Sequence, residues 1–258
     1  MYYYEVLVSS PRYHGDKALT YEIDQDLSTG TVVSIPLQNQ LVLGVVQKKV
    51  VKPDFKSKPI HSVIAPTAIP KELFDLIEWL RGYYPAPLGQ LLGIFMPSSL
   101  LQTSRRNKNI RTLENRRKID AVTLTNEQAS ALSTIINKPF GSVLLHGETG
   151  SGKTRVYVEL TAKALADNKS AIILTPEIGL TPQLIKSFRE AFADSIYLLH
   201  SNLTPAQRRD AWLEIANAPE PVIVIGPRSA LFSPVKNVGL IVVDEAHDSA
   251  YKQEQAPY

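Results

Sequence analysis

The chain has no cysteine among its 258 residues. That excludes disulfides and cysteine–zinc sites, so no zinc is expected, and it fits a reducing, cytoplasmic setting. No apolar run approaches the roughly 20 residues that span a bilayer, so neither a membrane segment nor a membrane partner is expected. The opening residues, Met1 to Val8, lack a basic stretch followed by a long apolar one, so no signal peptide is read. There is little excess of either charge: 28 Lys and Arg face 25 Asp and Glu, a net +3 that permits a nucleic-acid partner without demanding one. Internal repeats and low-complexity stretches are also lacking. With 44% hydrophobic and 21% charged residues the composition is that of a soluble globular protein, long enough for one large domain or two smaller ones.

The charge that is present is unevenly placed. Arg105, Arg106, Lys108, Arg111, Arg116, Arg117 and Lys118 stand against one acid, Glu114, in a short stretch. It reads either as a solvated linker or as a stripe that contacts phosphates, with Arg105, Arg106 and Lys108 as DNA-contact candidates.

The first half reads as a small β-rich domain, residues 1–100. Tyr4–Val8 alternates weakly, and Thr31–Pro36 and Leu41–Val46 are β-branched runs separated by Gln-Asn-Gln, a hairpin pattern. Ile69-Pro70 opens a helix with Leu73, Phe74, Ile77 and Leu80 at helical spacing. A second short helix, Leu88–Phe95, stops before Pro97. Residues 101–122 read as a basic linker. From Thr123 to Tyr258 strands alternate with helices: strands at 142–146, 171–174, 196–199, 222–225 and 240–243, helices at 153–167, 182–192 and 205–216. The fold class expected is α/β, a parallel P-loop sheet covered on both faces and preceded by a small β-rich domain.

The chemistry concentrates at two places. Gly147-Glu148-Thr149-Gly150-Ser151-Gly152-Lys153-Thr154 matches G-x-x-x-x-G-K-[ST], with an apolar run before it and a helix after it. The glycines let backbone amides turn inward to phosphates, and the helix N-terminus adds partial positive charge. Lys153 suits the β- and γ-phosphates of ATP, and the Thr154 hydroxyl suits Mg²⁺. Leu240-Ile-Val-Val-Asp244-Glu245-Ala246-His247 delivers carboxylates at a strand end. Asp244 would hold Mg²⁺ through water, and Glu245 would activate the attacking water. Upstream, Gln128 reads in two ways. Its amide could meet an adenine edge, or it could complete a capping box with Thr125; both can hold together.

These elements resemble superfamily 2 helicases with a D-E-x-H box. The runs Thr175-Pro-Glu-Ile-Gly-Leu-Thr-Pro-Gln183, Leu199-His-Ser201, Val224-Ile-Gly-Pro-Arg-Ser-Ala-Leu-Phe-Ser-Pro234 and Val243 to Gln253 narrow this. They resemble the primosomal protein N′ (PriA, replication factor Y) family. The resemblance implies an ATP-dependent 3′→5′ DNA helicase that binds forked DNA in replication restart and primosome assembly, of which this would be the N-terminal part. Its partners would be forked or single-stranded DNA, primosome proteins and single-strand-binding proteins. Thr175, Pro176 and Glu177 would lie on the DNA-facing edge, and Arg228 and Ser229 near strand phosphates. The bland alternatives are a strand end at Thr175-Pro176 and a surface cap at Arg228. His200 reads as structural, and His247 as a link between metal and DNA sides. The first half resembles the family's 3′-end DNA-binding domain, through Leu19-Thr-Tyr21, Gly30 to Pro36 and Gly44-Val-Val46; its tyrosines read as base-stacking groups or as packing.

The sequence departs from the family at four points. Thr20 stands where the family places an Asp that contacts a terminal sugar hydroxyl. Leu100 to Thr123 is too short for the family's winged-helix domain. Pro227 stands where the family has Thr, which removes a hydroxyl and an N–H. The sequence stops at Tyr258, before the second lobe and the arginine it supplies to the transition state, a group worth about 10³–10⁵ in rate. The chain alone is therefore expected to bind nucleotide weakly and hydrolyse it poorly. Rival readings are another DEAH-type DNA or RNA translocase, a non-catalytic DNA-binding P-loop fragment, and a small-molecule kinase, against which the Thr175–Gln183 run argues.

Overall fold

Alternation along the first strands builds the N-terminal half. In this computed structural model, which describes all residues except 16, 67–68, 85, 103–122, 139–140, 149, 177–181, 193–194 and 253–258, six strands share one sheet. They are β1 (Tyr2–Ser9), β2 (Leu19–Ile23), β3 (Val32–Leu37), β4 (Gln40–Val50), β5 (Lys58–Pro59) and β6 (Ser62–Ala65), in the order β5-β2-β1-β4-β3-β6. Every pairing is antiparallel except β2 with β5. The expected hairpin is β3–β4, closed at Leu37 opposite Gln40 with Gln38 in the left-handed region. Tyr4, Val6, Val8, Val33, Ile35 and Val46 pack on one face of the sheet. Leu7, Val32, Leu43 and Val45 pack on the other, beneath α1 (Lys71–Tyr83) and α2 (Leu88–Phe95). This is the two-residue period of a strand with both faces buried.

Helix α1 buries Leu73, Ile77 and Leu80, the i, i+4, i+7 stripe read from the sequence. Gly89 of α2 lies directly against the Ser10 carbonyl, where a Cβ would collide with main chain. A glycine there is what lets α2 sit on the end of β1.

The C-terminal half contains α3 (Asn126–Ile136), α4 (Lys153–Ala166), α5 (Pro182–Phe192) and α6 (Pro205–Asn217). Its sheet is parallel, in the order β10-β7-β9-β8, from β7 (Ser170–Leu174), β8 (Ile196–Leu198), β9 (Ile223–Gly226) and β10 (Val238–Val243). Ile173, Ile223, Ile225 and Val242 meet Tyr157, Val158, Leu184 and Phe188 on one face. Ile172, Leu174 and Val224 meet Ile215 and Ala230 on the other. Helices thus cover both faces, as a parallel sheet requires.

One expected strand does not form. Residues 142–146, read as the strand that enters the glycine loop, run without a ladder partner. Leu145 packs into the α4–α5 cluster, but Leu144 is 83% exposed. An apolar run becomes a strand only when a neighbour pairs its N–H and C=O groups. Among the described residues β10 pairs only with β7, and Val238, Ile241 and Val243 of β10 are exposed.

The two halves share a core. Trp212 and Ala216 of α6 belong to the same buried cluster as α1 and α2, with Phe232 packed against it. The Phe95 and Phe232 rings meet edge to face with centroids 5.1 Å apart. Arg209, itself buried, donates to the Gln102 carbonyl at 3.3 Å and pairs with Asp210 at 2.8 Å. Among the described residues no helix is long and apolar enough to cross a membrane.

Candidate nucleotide site

The glycine loop folds as its sequence demands. Gly150 (φ 84°) and Gly152 (φ 82°) occupy the left-handed region, and Gly152 is the N-cap of α4, with no side chain capping the helix. The first turn of α4 thus offers main-chain amides to an anion, apart from that of Arg155, which donates to the Gly152 carbonyl at 2.9 Å, and the helix field adds to them. Lys153 turns back on the loop, donating to the carbonyls of Gly147 at 2.7 Å and Glu148 at 3.1 Å. Thr154 follows in the first turn of α4, while Thr149 lies outside the described residues.

Both readings of the Thr125–Gln128 pair concern one short region. Thr125 Oγ1 accepts from the Gln128 amide at 3.2 Å, and Gln128 Oε1 accepts from the Thr125 amide at 3.1 Å, a complete capping box. The Gln128 Nε2 donates weakly to the carbonyls of Ser151 and Gly152, at 3.5 and 3.4 Å. The cap thereby carries its amide to the glycine loop.

Asp244 sits immediately after β10, and its amide continues the ladder to the Leu174 carbonyl at 2.8 Å. Glu245 next to it has φ 47°, a left-handed conformation that a non-glycine residue holds only when its surroundings impose it. The turn is tied down by the Asp248 amide on the Glu245 carbonyl (2.8 Å) and by Asp248 Oδ1, which accepts from the Ala250 amide (2.8 Å). His247 is largely exposed, with Nε2 3.6 Å from Glu245 Oε2.

Two tyrosines that the sequence reading missed close on this aspartate. Tyr157 of α4 donates its phenol to Asp244 Oδ1 at 3.1 Å, and Tyr251 donates to the Asp244 carbonyl at 2.7 Å. Burial first, then the neighbouring Asp244 carboxylate, push both phenols well above their ordinary value. Both stay protonated, as donors. A signal for Tyr157 was present: four residues after Lys153, it falls on the same face of α4 one turn along.

The chemistry of this donor set fits a magnesium nucleotide. One aspartate at a strand end and one threonine hydroxyl at a helix start are a sparse oxygen set. Mg²⁺ takes such sets when phosphates and water complete its octahedron. Among the described residues no three His, Cys, Asp or Glu side chains gather into a cluster that could hold a metal alone.

Thr175, Arg228 and Ser229 follow the C-terminal ends of β7 and β9. Thr175 is fully buried at the end of β7, its amide on the Gly226 carbonyl at 2.9 Å and its hydroxyl 3.2 Å from the Pro176 carbonyl. Arg228 and Ser229 begin a 3₁₀ turn, Arg228–Phe232, that follows β9. A cleft of about 430 Å³ brings them together with Thr175, His200 and Arg208, and α2 supplies its opposite wall through Gly93 and Ile94. A second cavity, about 910 Å³, runs from Ser10 and Gln90 past Arg228 to Ala246 and Tyr251. The candidates Glu177, Arg105, Arg106 and Lys108 lie outside the described residues. Of the tyrosines in the first half, Tyr4 and Tyr21 are core residues. Thr20 stands in β2 opposite Glu5.

Comparison with known proteins agrees with this geometry. Residues 125–257, just over half of the chain, match the DEAD/DEAH box helicase family, and residues 5–97 match the 3′ DNA-binding domain family. The replication restart protein PriA of Helicobacter pylori is 36% identical over 93% of this chain and 36% of its own length. That of Chlamydia trachomatis is 31% identical over 99% of this chain and 45% of its own, and that of Bacillus subtilis 41% identical over 55% of this chain and 18% of its own. The chain thus spans less than half the length of these relatives. With its glycine loop, its Asp244–His247 box and a family match over both, the chain belongs to the DEAD/DEAH box helicases.

Proposed function

We propose that this chain is the N-terminal part of an ATP-dependent 3′→5′ DNA helicase that acts at forked DNA during replication restart and primosome assembly. Its units would be a strand-end-binding domain (1–100), a basic linker (101–122) and the first ATP-binding lobe (123–258). The observation that carries the reading is the shared core. The segment that matches a 3′ DNA-binding domain packs its α2 directly onto α6 and the Arg228–Phe232 turn of the helicase lobe. A plain nucleotide-binding lobe has no need of that neighbour.

Lys153 would leave the Gly147 and Glu148 carbonyls for the β- and γ-phosphates, exchanging neutral acceptors for charged ones. The Gln128 amide, held by the capping box beside the loop, would read adenine. Mg²⁺ would be held by Thr154 and, through water, by Asp244, and it would offset charge on the phosphates. Glu245 would orient and deprotonate the attacking water. Arg228 and Ser229 would meet strand phosphates in the 430 Å³ cleft, with α2 as its far wall. Glu177 and the basic residues Arg105, Arg106 and Lys108 would add DNA contacts. DNA, primosome proteins and single-strand-binding proteins are the partners proposed, in the cytoplasm.

Two binding measurements test the reading. A fluorescent ATP analogue should bind in the presence of Mg²⁺, and Lys153→Ala should weaken it at least about tenfold, the scale of a lost charged hydrogen bond. Anisotropy should show tighter binding to a fork with a 3′ leading-strand end than to blunt duplex of equal length. Nucleotide binding that survives Lys153→Ala would make the loop structural. Equal affinity for fork and duplex would remove the fork role.

A further inference from the structure

The hydroxyl of Tyr157 has no part in packing. The ring is 7% exposed and fills the cluster formed by α4, α5 and the sheet, a place that phenylalanine would fill equally well. A buried phenol that makes no hydrogen bond costs free energy, so its partner explains its presence. That partner is Asp244 Oδ1 at 3.1 Å, 87 residues away in sequence. The main chain of Asp244 is fixed by the Leu174 carbonyl and by Tyr251, but its carboxylate can still turn about its own side-chain bonds. Among the described residues Tyr157 is the side chain that holds this carboxylate, through Oδ1, and it is anchored by a core rather than by a loop.

We propose that Tyr157 is a positioning residue for the magnesium site: its phenol pins Asp244 through Oδ1 and thereby presents the other carboxylate oxygen to the water of a bound Mg²⁺. This role rests on the nucleotide reading given above. The phenol is neutral and donates only to the carboxylate, so it orients Asp244 without competing for the metal. The arrangement lowers the ordering that metal binding would otherwise require. Groups that orient a metal's carboxylate in this way are worth about 10- to 100-fold in metal affinity or activity.

The test uses Tyr157→Phe, which keeps the ring and removes the donor. A fluorescent ATP analogue is titrated with the whole chain in EDTA and then at rising Mg²⁺. The variant should keep a cooperative urea transition and match the wild type in EDTA, yet need about tenfold more Mg²⁺ for half-maximal tightening. In an Asp244→Asn background the same change should have no further effect on the Mg²⁺ requirement. A Mg²⁺ requirement equal to wild type would overturn the proposal. So would a loss of affinity that is the same with and without Mg²⁺, or additive effects in the double variant. A wild type that shows no Mg²⁺-dependent binding removes the nucleotide reading and this role together. Mg²⁺-dependent wild-type binding with an unaltered Tyr157→Phe removes only the role of Tyr157.

Discussion

Trp212 donates its indole N–H to the main-chain carbonyl of Phe95 at 2.8 Å, across 117 residues of sequence. The donor lies on α6 of the helicase lobe and the acceptor at the end of α2, in the segment that matches a 3′ DNA-binding domain. Both groups are buried, so the bond is made where water cannot substitute for either partner.

That bond and the apolar contacts around it should make the two halves unfold together. Urea denaturation followed by tryptophan fluorescence and by circular dichroism should show one coincident transition. Trp212→Phe should cost about 1–3 kcal/mol, the penalty of an unpaired buried carbonyl. Trp212→Ala should cost about 3–5 kcal/mol and split the transition in two. Retention of a single transition in Trp212→Ala would mean that other contacts join the halves.

Gln128 has two duties that mutation can separate. Thr125→Ala removes the cap and should cost about 1 kcal/mol, seen as faster amide exchange in α3, a helix with no buried residue of its own. Gln128→Ala should add a loss of preference for ATP over GTP, measured by competition against the fluorescent analogue. A preference unchanged in Gln128→Ala would leave the residue as a cap alone.

Folding stability should fall at alkaline pH. The phenols of Tyr4, Tyr21, Tyr157 and Tyr251 are all raised, burial being the first cause in each. The unfolded chain ionises its tyrosines near pH 10. A raised folded value means stability fully present below about pH 10 and lost as pH rises through the folded values. Urea midpoints at pH 8 to 11 should therefore decline only at the top of that range. Tyr157→Phe combined with Tyr251→Phe should flatten the decline; an equally steep fall in that variant would assign it to other groups.

The open edge of β10 should promote self-association. Ile241 and Val243 are 49% and 43% exposed on a strand paired on one side only. Exposed apolar edges template further strands, and an edge lysine opposes this. Ile241→Lys should lower concentration-dependent light scattering, while its thermal midpoint stays within the range of a surface change, about 0.5 kcal/mol. Scattering identical to wild type would place the association elsewhere.

Local rules made much of this molecule legible from its sequence. The spacing of Leu73, Ile77 and Leu80 identifies a helix by its own period, and the short continuous apolar runs of β7 and β9 identify strands buried on both faces. The glycine loop is equally local, since Gly150 and Gly152 adopt conformations that only glycine takes without strain. The capping box needs only residues three apart. By itself, then, the sequence determined most of the elements and the conformation of the glycine loop.

Tertiary structure decided the rest. Whether residues 142–146 form a strand depends on a neighbour to pair with, and an apolar run carries no information about that neighbour. The contacts Trp212–Phe95 and Tyr157–Asp244 join residues 117 and 87 positions apart, and no periodicity spans such distances. Thr175 reads from the sequence either as a DNA-facing contact or as a strand end; in the fold it stands at the end of β7, fully buried, with its amide on the Gly226 carbonyl. Short-range spacing encodes which backbone conformation a residue prefers; only the packed chain decides which side chain it meets.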